Sequence, residues 1–228
     1  MVDSRPANRR KGADASVLAL KAFSPEVAET LQRSGVRCVW VDGSTVFAHG
    51  HVVAWVQIVL QGRLRITAAA EPGHEVFFRW QQPGEIVGLA SAVSGRPLPV
   101  DAVAFDDCET LQIERDVLLA LLRSDVRVAM TAAELLAGYA YDLIELVTLR
   151  TEQTLTHRVQ GVLRHLALLN GQAIRPGTWS LAISQADLAA AVGASRQRVN
   201  AELRTLAKDG LIELGYRQLV VHGIPTLD

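Results

Sequence analysis

The chain has 228 residues, 49% hydrophobic and 21% charged, with a formal net charge of -1. That length admits two domains, and that composition suits a packed globular protein. It is no polycation, its two cysteines (Cys38 and Cys108) supply neither a disulfide scaffold nor the four thiolates of an ordinary iron–sulfur cluster, and no apolar run reaches the roughly 18 residues that span a bilayer.

In chain order, residues 1–16 are polar and basic and lack the apolar core of a signal peptide. They read as a disordered lead, and the protein as cytoplasmic. "SPEVAETLQRSG" predicts a short helix, capped by Ser24 and stopped at Gly35. From about Val17 to Ile113 the chain reads mainly as short strands, within a domain assigned to residues 17–125. Turn signals recur near every ten residues: Asp42-Gly43, His49-Gly50, Gln61-Gly62, Pro72-Gly73 and Pro83-Gly84. That spacing predicts an antiparallel sandwich or barrel.

From about Arg115 to Gln153 the period becomes helical. One apolar stripe runs Met130, Ala133, Ala137, Ala140, Ile144, Val147, and another Leu136, Tyr139, Leu143, Leu146. A helix apolar on two faces has two surfaces to cover. One face is expected to meet the β domain, the other a second copy of the chain. A long dimerisation helix is therefore assigned to residues 126–153.

Residues 154–228 read as a small three-helix domain with a β-hairpin. From Thr151 onward there are 8 Lys+Arg against 6 Asp+Glu, a net of +2, which leaves 15 against 18 in the remainder. Within "ISQADLAAAVGASRQRVNAELRTLAKDGLI", Ser184 and Asp187 resemble a capping box, with Ile183 and Leu188 placed for a hydrophobic staple. Gly193 ends the first helix and Ser195 caps the next, so the pair forms a helix-turn-helix. At about 100° per residue, Val199, Leu203 and Leu206 share one face of the second helix. Gln197, Ala201 and Arg204 lie opposite, flanked by Arg196 and Asn200. Arg, Gln and Asn can pair with base edges in a major groove of double-stranded DNA, and a small Ala permits close approach.

With these residues the chain resembles the bacterial cyclic-AMP receptor and fumarate–nitrate regulator (CRP/FNR) family of transcription factors. "SQADLAAAVGASRQRVNAELRTLAKDGLIE" is the strongest match, and "VLQGRLRI" and "PGEIVGL" follow the family's sensor domain in the right order. The resemblance implies an α+β fold: an N-terminal antiparallel β-roll like a cyclic-nucleotide-binding jelly roll, a long dimerisation helix, and a C-terminal winged helix-turn-helix. It implies a homodimer reading a two-fold-related site, with half-sites about one helical turn apart. By motif position Arg196 and Gln197 inherit base reading, and Ser195 a phosphate contact. Arg198, Arg204, Lys208 and the wing residue Arg217 are further phosphate candidates. Ala201 stands where the family often has Arg, and Gln197 where Glu is common. The stretch Asn170 to Ser180 is read as a loop, lying where family activators contact RNA polymerase. Thr154 to His157 is the expected hinge. No catalytic motif and no metal-ligand cluster is present, so an enzyme is not expected. A small-molecule-binding protein whose C-terminal domain contacts protein remains the alternative.

The resemblance also bears on "PGEIVGLASAVSGRPLPV". In the nucleotide-binding members, the loop after two glycines supplies a Glu for the ribose and an Arg with Ser or Thr for the cyclic phosphate. Counted from Gly84 and Gly88, those positions hold Leu89, Pro99 and Val100, and the polar pair that meets the base falls at Leu143 and Ile144. A buried phosphate without cations or donors is costly. Cyclic AMP bound in the usual way is therefore not expected. Arg96 is the one cation in the loop. The effector region reads as apolar, with Leu89, Val93, Val100, Leu143 and Ile144. It is either self-filled, or holds an apolar molecule, or holds haem through His49, His51, His74 or Cys108.

Overall fold

The computed structural model describes residues 8–10, 24–71 and 74–223. Its elements are β1 (Asn8–Arg10), α1 (Pro25–Ser34), β2 (Val36–Trp40), β3 (Thr45–Phe47), β4 (Trp55–Glu71), β5 (His74–Gln81), β6 (Ile86–Val87), α2 (Leu89–Ser94), β7 (Asp101–Glu114), α3 (Arg115–Ser124), α4 (Val126–Arg150), α5 (Leu155–Asn170), β8 (Gln172–Arg175), β9 (Thr178–Leu181), α6 (Gln185–Val192), α7 (Arg196–Lys208), β10 (Ile212–Gly215) and β11 (Gln218–His222). This is the α+β fold expected. The described residues fall into two units, one through Ala68 with Trp80–Ala140, the other Ala69–Arg79 with Tyr141 onward. The division lies inside α4, which both units share.

In the first unit α1 begins as predicted: the Ser24 hydroxyl accepts from Val27 N at 3.4 Å and Pro25 fills the first turn. Gly35 ends the helix at an ordinary φ of -94°. A glycine is needed there because a Cβ would stand 2.5 Å from Leu111 Cδ1. The β-roll is antiparallel, with strand order β1-β2-β7-β4-β5, β3 on β7 and β6 on β4. Strands β4 and β7 pair from Trp55↔Glu114 to Thr67↔Asp101, with register shifts either side of Gln61. Gly62 sits in that irregularity at φ 72°, where a Cβ would lie 2.5 Å from the Asp107 carbonyl oxygen. The core holds Leu31, Trp40, Ile58, Leu64, Trp80, Ile86, Leu111 and Ile113. Within it Trp40 Nε1 donates to Thr110 Oγ1 at 2.9 Å, and that hydroxyl donates to buried Gln57 Oε1 at 2.8 Å. Paired in this way, buried polar groups specify register instead of destabilising the core.

The lead was expected to be unstructured. Asn8–Arg10 instead pairs antiparallel with Arg37–Val39, because the outer edge of β2 offers free backbone groups to an extended segment. The other residues of 1–16 lie outside the described set.

In the second unit α5, α6 and α7 form the predicted three-helix core. The sheet is larger than the single hairpin expected: its order is β10-β11-β9-β8. The stretch Asn170 to Ser180, read as a loop, is mostly the β8–β9 hairpin, and β9 pairs with β11 from Leu219↔Leu181 to His222↔Thr178. Pro176-Gly177 makes its turn, with Gly177 at φ 73°. Strand β8 is exposed throughout, so no alternation of apolar residues announces it. The expected hinge also differs. Thr154 caps α5, its hydroxyl accepting from His157 N at 3.2 Å, so Thr154 to His157 is a capped first turn. The chain between the helices that is not helical is residues 151–154, which the expected hinge shares only at Thr154.

Candidate nucleic-acid interface

Ser184 caps α6: its hydroxyl accepts from Asp187 N at 3.0 Å and donates to Asp187 Oδ2 at 2.8 Å. Ile183 and Leu188 are buried beside it. Gly193 takes the left-handed φ of 71° that closes the helix, and its N–H donates to Ala189 O at 3.0 Å. Ser195 caps α7 through Arg198 N at 3.4 Å. Val199, Leu203 and Leu206 face inward and are fully buried, which stabilises the domain by roughly 1.5–3 kcal/mol for each side chain. That burial fixes the rotation of α7. It leaves Ser195, Arg196, Gln197, Arg198, Ala201, Arg204 and Lys208 exposed along the other side. Asn200 stands apart from them: it is half-buried, and its Oδ1 is enclosed without a hydrogen-bond partner.

Beyond α7 the turn Gly215–Gln218 forms the wing tip, with Tyr216 92% exposed and Arg217 at φ 53°. A cleft of about 470 Å³ runs between the wing and the two helices, lined by Ser184, Gln185, Arg196, Tyr216, Arg217 and Gln218 among others. His222 braces the wing, its Nε2 lying 3.0 Å from Glu213 Oε1. The sequence reading missed Gln185, Tyr216 and Arg150. Position after a cap marks Gln185, and turn position marks Tyr216. Nothing local marks Arg150, whose guanidinium lies over the helix-turn-helix turn: a Cβ on Gly193 would stand 2.6 Å from Arg150 Nη2.

The effector-region candidates fall on both units. In the first, Gly84 and Gly88 turn at φ 94° and 89°. Gly84 N donates to Val59 O at 2.9 Å, and the Glu85 carboxylate accepts from Gln82 N at 2.6 Å, which explains an acidic residue there without a ligand. The Tyr139 hydroxyl of α4 meets the backbone of Ile86, accepting from its N at 3.3 Å. Leu89 is enclosed in the core, whereas Val93, Arg96 and Pro99 are exposed and Val100 is half-buried. In the second unit Leu143 and Ile144 are exposed, while Arg79 is buried and donates to Asp142 one residue earlier. Of the haem-ligand candidates, His49 and His51 are exposed on a turn and the His74 side chain lies outside the described residues. Burial pushes the Cys108 thiol up to about 12, with the Glu109 charge adding to it, which disfavours the thiolate a metal requires.

Comparison with known proteins gives two family matches. A model described as Cyclic nucleotide-binding domain covers residues 38–125, and one described as Crp-like helix-turn-helix domain covers residues 157–228. The chain is 28% identical over 194 residues to a protein named Cyclic AMP receptor protein from Thermus thermophilus, spanning 85% of this chain and 87% of that one. Two solved structures share the fold: FixK2 from Bradyrhizobium japonicum, with TM-score 0.72, 20% identity, and 85% and 98% of the two chains covered, and the c-di-GMP responsive global regulator CLP of Xanthomonas campestris, with TM-score 0.70, 20% identity, and 92% and 100% covered.

Proposed function

We propose a function that proceeds from the family of this chain: it belongs to the CRP/FNR family of transcription regulators, with a cyclic-nucleotide-binding-like sensor domain and a helix-turn-helix DNA-binding domain. It acts as a homodimer on a two-fold-symmetric DNA site, and cyclic AMP bound in the usual way is not its signal. The observation that carries the DNA reading is the face of α7 that burial of Val199, Leu203 and Leu206 leaves to solvent. Arg196 and Gln197 lie in its first turn, where such a helix meets base edges. Arg198, Arg204 and Ser195 contact phosphates, and Ala201 packs close to the groove floor.

The dimer reading rests on α4. Met130, Ile144 and Val147 are 55%, 61% and 53% exposed, and Ala133, Ala137 and Ala140 between them are exposed as well. Their spacing alternates three and four, the repeat of a two-helix seam, and small residues at its middle let two backbones approach closely. The sensor occupies 17–125, the dimerisation segment 126–153, whose helix ends at Arg150, and the DNA-binding domain 154–228. A signal acts by shifting the population between two dimer arrangements. The exposed strand β8 of the β8–β9 hairpin supports contact with RNA polymerase.

The effector reading is supported by Leu89, Pro99 and Val100 in place of the nucleotide's partners, and by Arg96 lying out in solvent. The test is fluorescence anisotropy of the ligand-free chain on a selected two-fold site, before and after adding cyclic AMP. Tight binding unchanged by the nucleotide is the expected result, and Arg196→Ala removes the site preference. A large gain on adding cyclic AMP overturns the effector reading. Unchanged preference in both Arg196→Ala and Gln197→Ala overturns the base-reading assignment.

A further inference from the structure

Arg150 ends α4, and Arg158 lies in the opening turns of α5, four residues after its cap Thr154. The Arg150 guanidinium reaches the turn between α6 and α7, at Gly193, two residues before the α7 cap. Arg158 is half-buried, and its Nε is enclosed with no hydrogen-bond partner. Among the described residues no carboxylate pairs with either arginine. Glu202, on the facing side of α7, accepts instead from Thr156 at 2.8 Å. The two cations are close enough to matter to each other: burial and then the Arg158 charge lower the pKa of Arg150.

Two like charges, partly desolvated and without an acid, are an unfavourable arrangement in a chain alone. Arginine is weakly hydrated and presents a planar fork of donors that matches phosphate oxygens. The arrangement becomes favourable when an anion occupies it. Its position beside the turn that leads into α7 says which anion lies within reach when that helix is in a groove.

We propose that Arg150 and Arg158 together seat a phosphate of the DNA backbone at the turn between α6 and α7. This rests on the DNA-binding reading above and adds to it a contact from the end of the dimerisation helix. The α4 terminus thereby touches the nucleic acid as well as the second copy, so a change in how two α4 helices meet would be felt at the phosphate.

The test is the salt dependence of anisotropy, with the full chain on its selected duplex and on a scrambled duplex, from about 50 to about 200 mM salt. Arg150→Gln and Arg158→Gln are each expected to lower the slope of log affinity against log salt by about one. Each weakens the selected and scrambled duplexes by the same factor, unlike Arg196→Ala, which affects the selected one. The thermal midpoint of neither variant falls, since each removes a repelled charge; a merely structural arginine would show the reverse. Wild-type slopes in both variants, with Arg196→Ala still losing preference, overturn this proposal and leave the DNA reading standing. A wild-type chain that binds neither duplex overturns both.

Discussion

Two turns in this molecule use the same backbone device to different ends. At Gly88 and at Gly193 the chain enters the left-handed region, at φ 89° and 71°, and a helix follows. After Gly88 comes α2, six residues long, without a side-chain cap, and its first residue Leu89 turns into the core. After Gly193 comes a serine cap and the thirteen residues of α7, whose first turn holds exposed Arg196, Gln197 and Arg198. The first turn is closed by apolar packing, and the second is left open with cations. A glycine turn before a helix is therefore only a frame. What it can bind is decided by the side chains on the next turn and by whether the core takes them in.

The strongest way to break this contrast is to put a carboxylate on the closed turn. Leu89→Glu should lower the stability of the chain to denaturant by more than about 3 kcal/mol, because a charge would enter a site 1% exposed. A stable variant that gained cyclic AMP binding would mean the closed turn opens readily. Next, Gly88→Ala and Gly193→Ala should each cost about 1–2 kcal/mol in the same measurement, from the left-handed backbone. They should differ in function. A Cβ at 88 meets Phe47 at 3.5 Å and the Trp55 carbonyl oxygen at 3.7 Å, both ordinary contacts, whereas one at 193 displaces the Arg150 guanidinium, so Gly193→Ala alone should weaken binding to DNA. A smaller effect, about 1 kcal/mol of stability, is expected for Ser195→Ala, which removes a cap that the α2 turn lacks.

The last effect is a change in stability confined to alkaline pH. Cys108 has its thiol raised from 9.0 to about 12 in the folded chain by burial. The folded state therefore holds that proton more tightly than the unfolded one, and its stabilising contribution is full below about pH 9. Stability falls as pH rises from about 9 towards 12, and Cys108→Ala should flatten that fall. At neutral pH a thiol-alkylating reagent should leave Cys108 unmodified until the chain unfolds. Rapid labelling of the folded chain would show that the core around it opens.

Much of the second turn was legible in the sequence. Ser184, Gly193 and Ser195 are punctuation with local physical causes, and Val199, Leu203 and Leu206 repeat at a helical period. Burial follows from the period, and the exposed face follows from burial. Less of the first turn was legible. Leu89, Val93, Val100, Leu143 and Ile144 are all apolar, but apolarity does not say which of them the core takes in. The structure encloses Leu89 and leaves Val93 exposed, although both lie on one six-residue helix. The β8–β9 hairpin escaped because its first strand is exposed on both faces, so no alternation of apolar residues accompanies the Pro176-Gly177 turn.

The sequence by itself determined the order of the sensor strands, the long helix and the helix-turn-helix with its outward face, together with their caps and the apolar seam of α4, but not β1 or the β8–β9 hairpin. Each depends on residues within a turn or two of one another, where backbone geometry maps spacing directly onto direction. Only the tertiary structure decided that Tyr139 meets Ile86, that Arg79 pairs with Asp142, that β9 joins the wing sheet, and that Arg150 lies over Gly193 beside a second unpaired arginine. Those partners are separated by 38 to 63 residues in the first three hydrogen-bonding cases, and no periodicity links them. Packing alone brings them together.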